Sequence, residues 1–503
     1  MSRGIKVIRG SATKIVGLIL GVAISFYMMP FLVKSLGDRM YGLWTLVGSI
    51  LGYYSLMDIG LSSAVVRFIS RAVGQNSVEE IKKNMSTSFY LFSGLGCIVI
   101  LSTFVLTASL GFWIKNPEDL KLFRILILFM GINFGLDFPV RTFNAVFSAN
   151  LREDIGTGIS IVKALFVTVF IVVAIKKGYG IIGLCAITVI FSLLDSLTRI
   201  ILAYQVEPST TVHFRHFDST KIKPLFGYSF YTFIGKIATI LKFRLDQLVV
   251  STFVSLSSVT HYFVAQRLIE YLTEFIQQMI SVVSPVFSQD ESRNDYDAIR
   301  KKFLFMIKLS VYISAFFGGA ILLNGKNFIV RWMGRDYLDS YTVLCILLGS
   351  MLVYLIQMPV NPLLYGISKH RYKNLSDLVE GVLNLVCSLW LVRIYGMIGV
   401  ALGTAIPMVF IGLIVQPWYA CKSIELESSI YWGVLLRNVL IATLCLGAGW
   451  LVTFPFAKPT YPSLIFCVTT MAVIYWPLVA RFGLIESERA LLYRVIKGAL
   501  GYT

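Results

Sequence analysis

Long apolar runs separated by short polar segments dominate the pattern of this sequence. Most runs contain about 20 residues, the length that an α-helix needs to cross the hydrocarbon core of a bilayer. They lack the period-two alternation of a transmembrane β-strand. Because only helices and closed barrels satisfy all their backbone hydrogen bonds in lipid, the pattern predicts a helical bundle. The predicted spans, about fourteen in number, cover residues 12–34, 41–67, 86–112, 122–148, 155–175, 180–204, 224–252, 258–287, 302–324, 341–366, 375–394, 397–420, 430–454 and 461–480.

The composition agrees with this membrane assignment. Of the 503 residues, 56% are hydrophobic and the mean hydropathy is +0.76, whereas soluble domains contain about 45–50% apolar residues. The 7 cysteines occur singly and form no C-x-x-C motif, so they indicate neither a metal site nor a disulfide framework. The first run, 15–33, is too long for a signal-peptide core and lacks a small-residue cleavage site, so we expect a retained first span.

The positive charge is distributed unevenly along the chain. Lysine and arginine collect in alternate loops, so that one side of the predicted bundle carries roughly twice as many as the other. By the positive-inside rule, both termini are expected in the cytoplasm. The expected location of this helical bundle is the cytoplasmic (inner) membrane. The net charge of +18 does not indicate nucleic-acid binding, because the sequence contains no soluble basic domain that could carry this function.

Two short segments recur about 220 residues apart in the same order. LDFPVRTFNAVFSA from Leu136 matches IQMPVNPLLYGISK from Ile356, and YGIIGL from Tyr179 matches YGMIGV from Tyr395. Repeats of this kind are typical of transporters, and an even number of spans gives both repeats the same orientation. We therefore predict an all-α integral membrane protein with two six-helix lobes, 1–220 and 221–422, related by a pseudo-twofold axis along the membrane normal and enclosing a central cleft. The remaining segment, 423–503, adds two extra C-terminal helices and a cytoplasmic tail.

Four stretches of the chain resemble one transporter family. They are PFLVKSLGDRMYGLW from Pro30, YYSLMDIGLSSAVVRF from Tyr53, FRLDQLVVSTFVSLSSVTHYFVAQRL from Phe243 and FIVRWMGRDY from Phe328. Together they resemble the Wzx-type polysaccharide (O-antigen) flippases of the MATE-like, or MOP, transporter superfamily, over nearly the whole chain. The resemblance implies an oligosaccharide cargo on undecaprenyl pyrophosphate, flipped from the cytoplasmic to the periplasmic leaflet. It also implies contact with membrane lipids, and makes polysaccharide polymerase or glycosyltransferase machinery a candidate partner.

Many ionisable residues lie inside the predicted spans. A charge in mid-bilayer costs at least about 2.5–3.5 kcal/mol, so such residues normally face a cavity or a charged partner. Four pairs have a helical spacing that allows neutralisation on one helix face. They are Asp137/Arg141, Asp195/Arg199, Lys242/Asp246 and Arg267/Glu270. A purely structural role explains these pairs as well as a functional one does.

A smaller set of cations is predicted to bind the cargo. Lys236 and Arg244 have no acid three or four residues away, and such groups bind phosphate oxygens strongly in a low-dielectric cleft. The predicted head-group contacts are Lys236, Arg244 and Arg267, with Arg141 and Lys163 from the other lobe. The alternative is that these cations pair with acids on neighbouring helices.

The energy for transport is expected to come from an ion gradient or from the flow of the substrate itself, and uphill transport would need a coupling ion. A buried carboxylate that exchanges H⁺ or Na⁺ is the usual means, and the candidates are Asp58, Asp246 and Glu270. A counter-ion role explains each of them equally well. We expect no other cofactor and no metal site, since the H-x-x-H at His213 and His216 has no further histidine or cysteine nearby.

The sequence favours a transporter over an enzyme. It contains no P-loop, zincin or nucleophile-elbow motif. No loop between spans exceeds about 20 residues, whereas a polytopic polymerase or acyltransferase typically carries catalytic residues on a larger external loop. Two alternatives share the predicted architecture: a MATE-type multidrug or cation antiporter, and a lipid II flippase for peptidoglycan. The excess of unpaired basic residues argues against the drug exporter.

Overall fold

A computed structural model describes the backbone of residues 3–58, 60–112, 116–281, 287, 291, 295–367, 369, 371–486, 488 and 489. Side chains are described throughout these ranges except at 3–8, 11, 12, 112, 226–234, 236 and 278–281. The described part of the chain is helical and contains no β-strand. The prediction of an all-α protein is therefore confirmed.

The chain divides into two compact units, Met1–Thr260 and His261–Thr503, which we call the N-terminal and C-terminal units. The helices of the N-terminal unit are α1 (Arg3–Leu36), α2 (Asp38–Tyr54), α3 (Leu61–Gly74), α4 (Val78–Ser109), α5 (Pro117–Ala149), α6 (Glu153–Lys176), α7 (Gly180–Val206), α8 (Ile222–Phe243) and α9 (Asp246–Phe253). Helix α10 (Leu256–Ser281) begins in this unit and continues into the next.

The helices of the C-terminal unit follow α10. They are α11 (Tyr296–Trp332), α12 (Leu338–Ile356), α13 (Val360–Gly366), α14 (Arg371–Phe410), α15 (Gln416–Ser423), α16 (Ser428–Thr453) and α17 (Tyr461–Phe482). One turn of π-helix, Ile411–Val415, joins α14 to α15. Helix α11 begins where the side chain of Asp295 accepts a hydrogen bond from the backbone N–H of Ala298, at 3.0 Å, as expected of an N-cap aspartate.

Helices α4 and α5 pack closely inside the N-terminal unit. A Cβ atom at Gly96 would lie only 2.5 Å from the carbonyl oxygen of Gly135, so both positions need glycine for the backbones to approach. Helix α5 starts at Pro117, and the side-chain oxygen of Asn116 accepts hydrogen bonds from the N–H groups of Glu118 and Asp119 at 3.0 and 3.4 Å. This cap fixes the register of the first turn of α5.

Helix α14 folds back on itself at Gly396, whose backbone has φ 59° and ψ −136°. Residues on opposite sides of this turn are in contact: the hydroxyl of Thr404 donates a hydrogen bond to the side-chain oxygen of Asn384, at 3.4 Å. A Cβ at Gly403 would lie 2.5 Å from the Cα of Ser388. The segment is thus an antiparallel helical hairpin, as the separate predicted spans 375–394 and 397–420 require.

The equivalent stretch of the first repeat has the same form. Helices α6 and α7 are joined through Gly180, with φ 56°, and Phe170 on α6 packs against Phe191 on α7 with ring centroids 5.2 Å apart. Gly180 and Gly396 occupy the same place in the two YG segments of the sequence repeat. The two hairpins therefore agree with the repeat locally, while the symmetry of whole lobes remains a prediction.

The number of membrane-crossing helices is confirmed only in part. Among the described residues, 10 helices are long and apolar enough to cross a membrane, or 11 if α2 and α3, bent by 47° at their junction, form one span. That number treats the 53-residue segment Arg371–Ser423 as one span. This segment is a hairpin, and its two arms correspond to the separate predicted spans 375–394 and 397–420. The protein is a multi-pass membrane protein, and the count of fourteen remains a prediction.

The division into units differs in position from the predicted lobes. Helix α8 packs on α3 and α9 packs on α2, which keeps both helices with the N-terminal unit and places its end at Thr260. The predicted lobe boundary lies earlier, between residues 220 and 221. The assignment of 1–220, 221–422 and 423–503 as lobes and appendage remains a prediction.

Candidate functional site

Asp58 lies at the end of the 3-10 turn Ser55–Asp58, which follows α2, and is only 3% exposed. Its Oδ1 accepts hydrogen bonds from the backbone N–H and the hydroxyl of Ser62, at 3.1 and 2.6 Å. The guanidinium of Arg141 on α5 lies 3.8 Å from the same oxygen. This proposed coupling residue therefore has a cation and two hydrogen-bond donors beside it.

Arg141 contacts both acids and aromatic rings. Its Nε lies 3.7 Å from Oδ2 of Asp137, so the two residues form the ion pair that their i,i+4 spacing predicts. Its guanidinium carbon lies 4.0 Å from the centre of the Phe138 ring and 5.5 Å from that of Phe134. A cation over an aromatic face is attracted by the ring quadrupole. Arg141 is therefore held between α5 and the end of α2.

Arg199 on α7 is the centre of a second network, which links α5, α6 and α7. Its guanidinium donates to Asp195 Oδ2 at 2.9 Å, to Asn144 Oδ1 at 3.0 Å and to Ser160 Oγ at 2.7 Å. Lys163 on α6 approaches the same Asp195 oxygen at 3.8 Å. Sequence reasoning treated Arg199 only as half of a local pair, because its partners on other helices are invisible to helical spacing.

The two networks lie one helical turn apart on α5. Arg141 and Asn144 are separated by three residues, which places them on the same face of the helix. Together the networks join three acids and three bases, so their formal charges balance. The acids are Asp58, Asp137 and Asp195, and the bases are Arg141, Lys163 and Arg199. Two of the five predicted head-group contacts, Arg141 and Lys163, thus have acidic partners, which is the alternative that the sequence left open.

The predicted span 224–252 is interrupted. Helix α8 ends at Phe243 and α9 begins at Asp246, and the hydroxyl of Tyr53 donates to the carbonyl oxygen of Arg244 at 3.0 Å. The predicted i,i+4 pair of Lys242 and Asp246 spans this break and remains a prediction. Both side chains are buried, at 3% and 5% exposure.

Arg244, at this break, differs from the other predicted contacts. Its side chain is exposed, and in the described part of the chain no carboxylate lies within ion-pair distance of its guanidinium. Lys236 belongs to α8, but its side chain lies outside the described residues. Arg267 in the C-terminal unit donates to Oε2 of Glu270 at 2.8 Å and lies 4.7 Å from the centre of the Tyr271 ring.

Sequence reasoning missed the buried acid Asp119, in the first turn of α5. It is 5% exposed, and its Oδ2 accepts a hydrogen bond from Nη2 of Arg39 at 2.6 Å. Its Oδ1 is buried without a hydrogen-bond partner. Asp119 lines a cavity of about 540 Å³ within the N-terminal unit, together with Tyr53, Tyr54 and Asn116. Asp119 and the two tyrosines thus border the same cavity. In the sequence, an acid at the start of a helix looks like an ordinary cap, so no local signal marks it.

Comparison with known proteins identifies the family of this chain. A family described as polysaccharide biosynthesis protein matches residues 33–342, which is more than half of the chain. The chain belongs to this polysaccharide biosynthesis family. The resemblance to polysaccharide flippases of the MOP superfamily is confirmed by the comparisons as a whole.

Three relatives cover most of the chain. The uncharacterized membrane protein EpsK of Bacillus subtilis (strain 168) is 23% identical and covers 97% of this chain and 98% of its own. The putative O-antigen transporter of Shigella flexneri is 23% identical and covers 82% of this chain and 97% of its own. The probable low-salt glycan biosynthesis flippase Agl15 of Haloferax volcanii is 22% identical and covers 93% of this chain and 96% of its own. The named activities of the latter two are transport and flipping, so at the family level the role is that of a transporter.

Solved structures show the fold. The lipid II flippase MurJ in an inward closed conformation matches with a TM-score of 0.69 and 18% identity, covering 94% of this chain and 98% of its own. An inward-facing multidrug resistance MATE family transporter of the MOP superfamily matches with a TM-score of 0.66 and 16% identity, covering 84% and 98%. This polysaccharide biosynthesis family member therefore has a MATE-like fold.

Proposed function

We propose that the protein is a flippase that moves undecaprenyl-pyrophosphate-linked oligosaccharide units from the cytoplasmic to the periplasmic leaflet of the inner membrane, for surface polysaccharide biosynthesis. The observation that carries the proposal is membership of the polysaccharide biosynthesis family on a MATE-like fold. The O-antigen transporter and the glycan flippase among the relatives support a lipid-linked glycan as the cargo. The cycle is alternating access, in which the head group crosses in a cleft while the polyprenyl tail stays in lipid.

Arg244 is the strongest candidate for a direct contact with the pyrophosphate. It is exposed and has no carboxylate within ion-pair distance among the described residues, so its guanidinium is available to phosphate oxygens. Arg141, Lys163 and Arg267 would have to exchange an acidic partner for the cargo. Lys236 remains a proposed contact from its position in the sequence alone.

Coupling to H⁺ or Na⁺ is proposed for Asp58, Asp246 and Glu270. Asp58 has Arg141 beside it, and Glu270 has Arg267, so in each case binding of cargo phosphate to the arginine would alter the environment of the acid. A cation bound at the acid would conversely favour release of the arginine. Such exchange provides a physical link between ion binding and cargo binding.

The test is a flipping assay with the full chain in liposomes. A fluorescent short-chain polyprenyl-pyrophosphate sugar is placed in one leaflet, and its appearance in the other is measured with and without H⁺ and Na⁺ gradients. We expect faster flipping than in protein-free liposomes. We further expect a loss of about tenfold or more in Arg244→Ala, because a charge-assisted hydrogen bond contributes about 1.5–3 kcal/mol.

Arg335→Ala is the matched control, since Arg335 is an exposed arginine in the 3-10 turn after α11 and takes no part in the networks above. Flipping that persists in Arg244→Ala would discard the proposed contact and keep the function. The MATE-like fold also supports a second candidate, a multidrug or cation antiporter. Absence of glycan flipping combined with gradient-driven efflux of a cationic dye would select that function, whereas preference for lipid II would select the MurJ-like one.

A further inference from the structure

A cavity of about 920 Å³ lies in the C-terminal unit, away from the residues considered so far. It is formed by α11, the first turns of α16 and the segment that follows α17. Its volume falls within the range of about 300–1,000 Å³ that is typical of ligand sites. The cavity is therefore large enough to hold a molecule of the size of a lipid head group.

The lining of this cavity is strongly basic. Four cations border it: Lys308, Arg437, Arg481 and Arg489. Two acids are nearby, Glu486 in the lining and Glu488, which accepts hydrogen bonds from Lys308 Nζ at 2.8 and 2.9 Å. After the Lys308–Glu488 pair is set aside, arginines outnumber acids by three to one.

The three arginines have different surroundings. Arg489 donates to the backbone carbonyl oxygens of Leu484 and Arg481, at 3.0 and 2.7 Å, and so closes the end of α17. Arg437 and Arg481 have no carboxylate within ion-pair distance among the residues that the structure describes. Both are exposed, and the guanidinium of Arg481 lies 5.8 Å from the Phe482 ring centre. Two guanidinium groups thus border the cavity with no described carboxylate within ion-pair distance.

The cavity lies among the N-terminal parts of α11 and α16 and the C-terminal end of α17. Helices α11 and α16 begin on the side where α17 ends, since all three contribute to the same cavity. The distribution of lysine and arginine in the loops predicts that this side is cytoplasmic. Basic pockets between transmembrane helices on the cytoplasmic side are suited to anionic lipid head groups.

We infer that this cavity is a binding site for the phosphodiester head group of an anionic glycerophospholipid from the surrounding leaflet. Arg437 and Arg481 bind the phosphate oxygens through charge-assisted hydrogen bonds, for which the planar guanidinium is well shaped. Lys308 forms part of the cavity wall as a neutral ion pair with Glu488. The acyl chains remain outside, along the exposed apolar surface of α16, which includes Leu436 and Leu440 at 62% and 61% exposure. The inference is independent of the cargo and of the flipping activity.

The test compares lipids that share their acyl chains. The full chain is purified in detergent, and binding of dioleoylphosphatidylglycerol and dioleoylphosphatidylcholine is measured by native mass spectrometry. We expect stronger binding of the anionic lipid. Each of Arg437→Gln and Arg481→Gln should weaken that binding about fivefold, and the double variant about thirtyfold. Glu486→Gln should strengthen it, because it removes an acid from the lining.

Arg335→Gln makes the same change of charge at an exposed position that does not line the cavity, and should leave binding unchanged. Equal binding of the two lipids, or unchanged binding in both single variants, would overturn the inference. Displacement of phosphatidylglycerol by an equal concentration of inorganic pyrophosphate would show a site for a free anion, and displacement by a polyprenyl pyrophosphate would reassign it to the cargo. If the double variant does not fold, the single variants and Glu486→Gln still decide the matter.

Discussion

At the scale of single residues, the sequence predicted the partners that lie on the same helix and missed those that lie on another. Asp137 with Arg141 and Arg267 with Glu270 were predicted from their spacing and are ion pairs. The approach of Arg141 to Asp58 depends on which helix faces pack together, which local periodicity does not specify. For this reason the sequence overstated how many cations are available to a cargo.

Arg199 is expected to stabilise the fold of the N-terminal unit. Its removal leaves Asp195, whose side chain is 9% exposed, with only the more distant Lys163 as a counter-charge. Loss of one partner of a buried ion pair costs about 3–5 kcal/mol. Arg199→Gln should therefore lower the midpoint of thermal unfolding in detergent, as followed by size-exclusion chromatography after heating.

Two variants separate the charge of Asp195 from the packing of Arg199. Lys163→Gln should have a smaller effect, since Lys163 is more exposed and further from the carboxylate. Adding Asp195→Asn to Arg199→Gln should restore part of the lost stability, because no buried charge is then left unbalanced. An Arg199→Gln protein as stable as the parent would contradict a structural role for this network.

At the scale of helices, the sequence located most elements and misjudged some of their breaks. The division between the predicted spans 375–394 and 397–420 coincides with the turn at Gly396, which the repeated YG segment marks. The break between α8 and α9 carries no proline or glycine. A tertiary contact lies at this break, the hydrogen bond from Tyr53 to the carbonyl of Arg244, and local sequence signals do not indicate such a contact.

Gly396 is expected to be essential for the hairpin. Its φ of 59° with ψ of −136° is a conformation that side chains other than glycine strongly disfavour, at a cost of about 1–3 kcal/mol. Gly396→Ala should reduce the thermal stability of the purified protein by a corresponding amount. Gly447→Ala is the control, since Gly447 lies inside α16 with no heavy atom near the added Cβ, and alanine there should be neutral or stabilising. Equal behaviour of the two variants would show that the turn does not need glycine.

At the scale of the whole molecule, composition and apolar run length predicted the helical membrane class, and the four resembling stretches predicted the family. The arrangement of the networks inside the N-terminal unit, and the basic cavity of the C-terminal unit, require knowledge of which helices are neighbours. Lys308 and Glu488 illustrate this, because 180 residues separate two side chains that are hydrogen-bonded. The spacing of residues within a single span does not indicate such a contact.

The predicted orientation in the membrane is open to a direct test. Lys176, at the end of α6, should face the periplasm, and Lys422, at the end of α15, the cytoplasm; both are exposed. In a background in which the 7 native cysteines are replaced, a membrane-impermeant maleimide should label Lys176→Cys in intact cells. It should label Lys422→Cys only after the cells are opened. The reverse pattern would invert the topology and place the basic cavity on the outer face.

The hairpin at Gly396 also constrains how the protein is made. Its two helices are joined by a tight turn and contact each other from the first residues on either side, as Leu391 and Gly399 do. So short a connection cannot reach across a hydrocarbon core of about 30 Å. The second helix therefore cannot wait on the far side of the membrane while the first is already in place. We therefore expect the two helices to enter the bilayer as a pair during synthesis, so that a mutation that delays one of them delays the insertion of both.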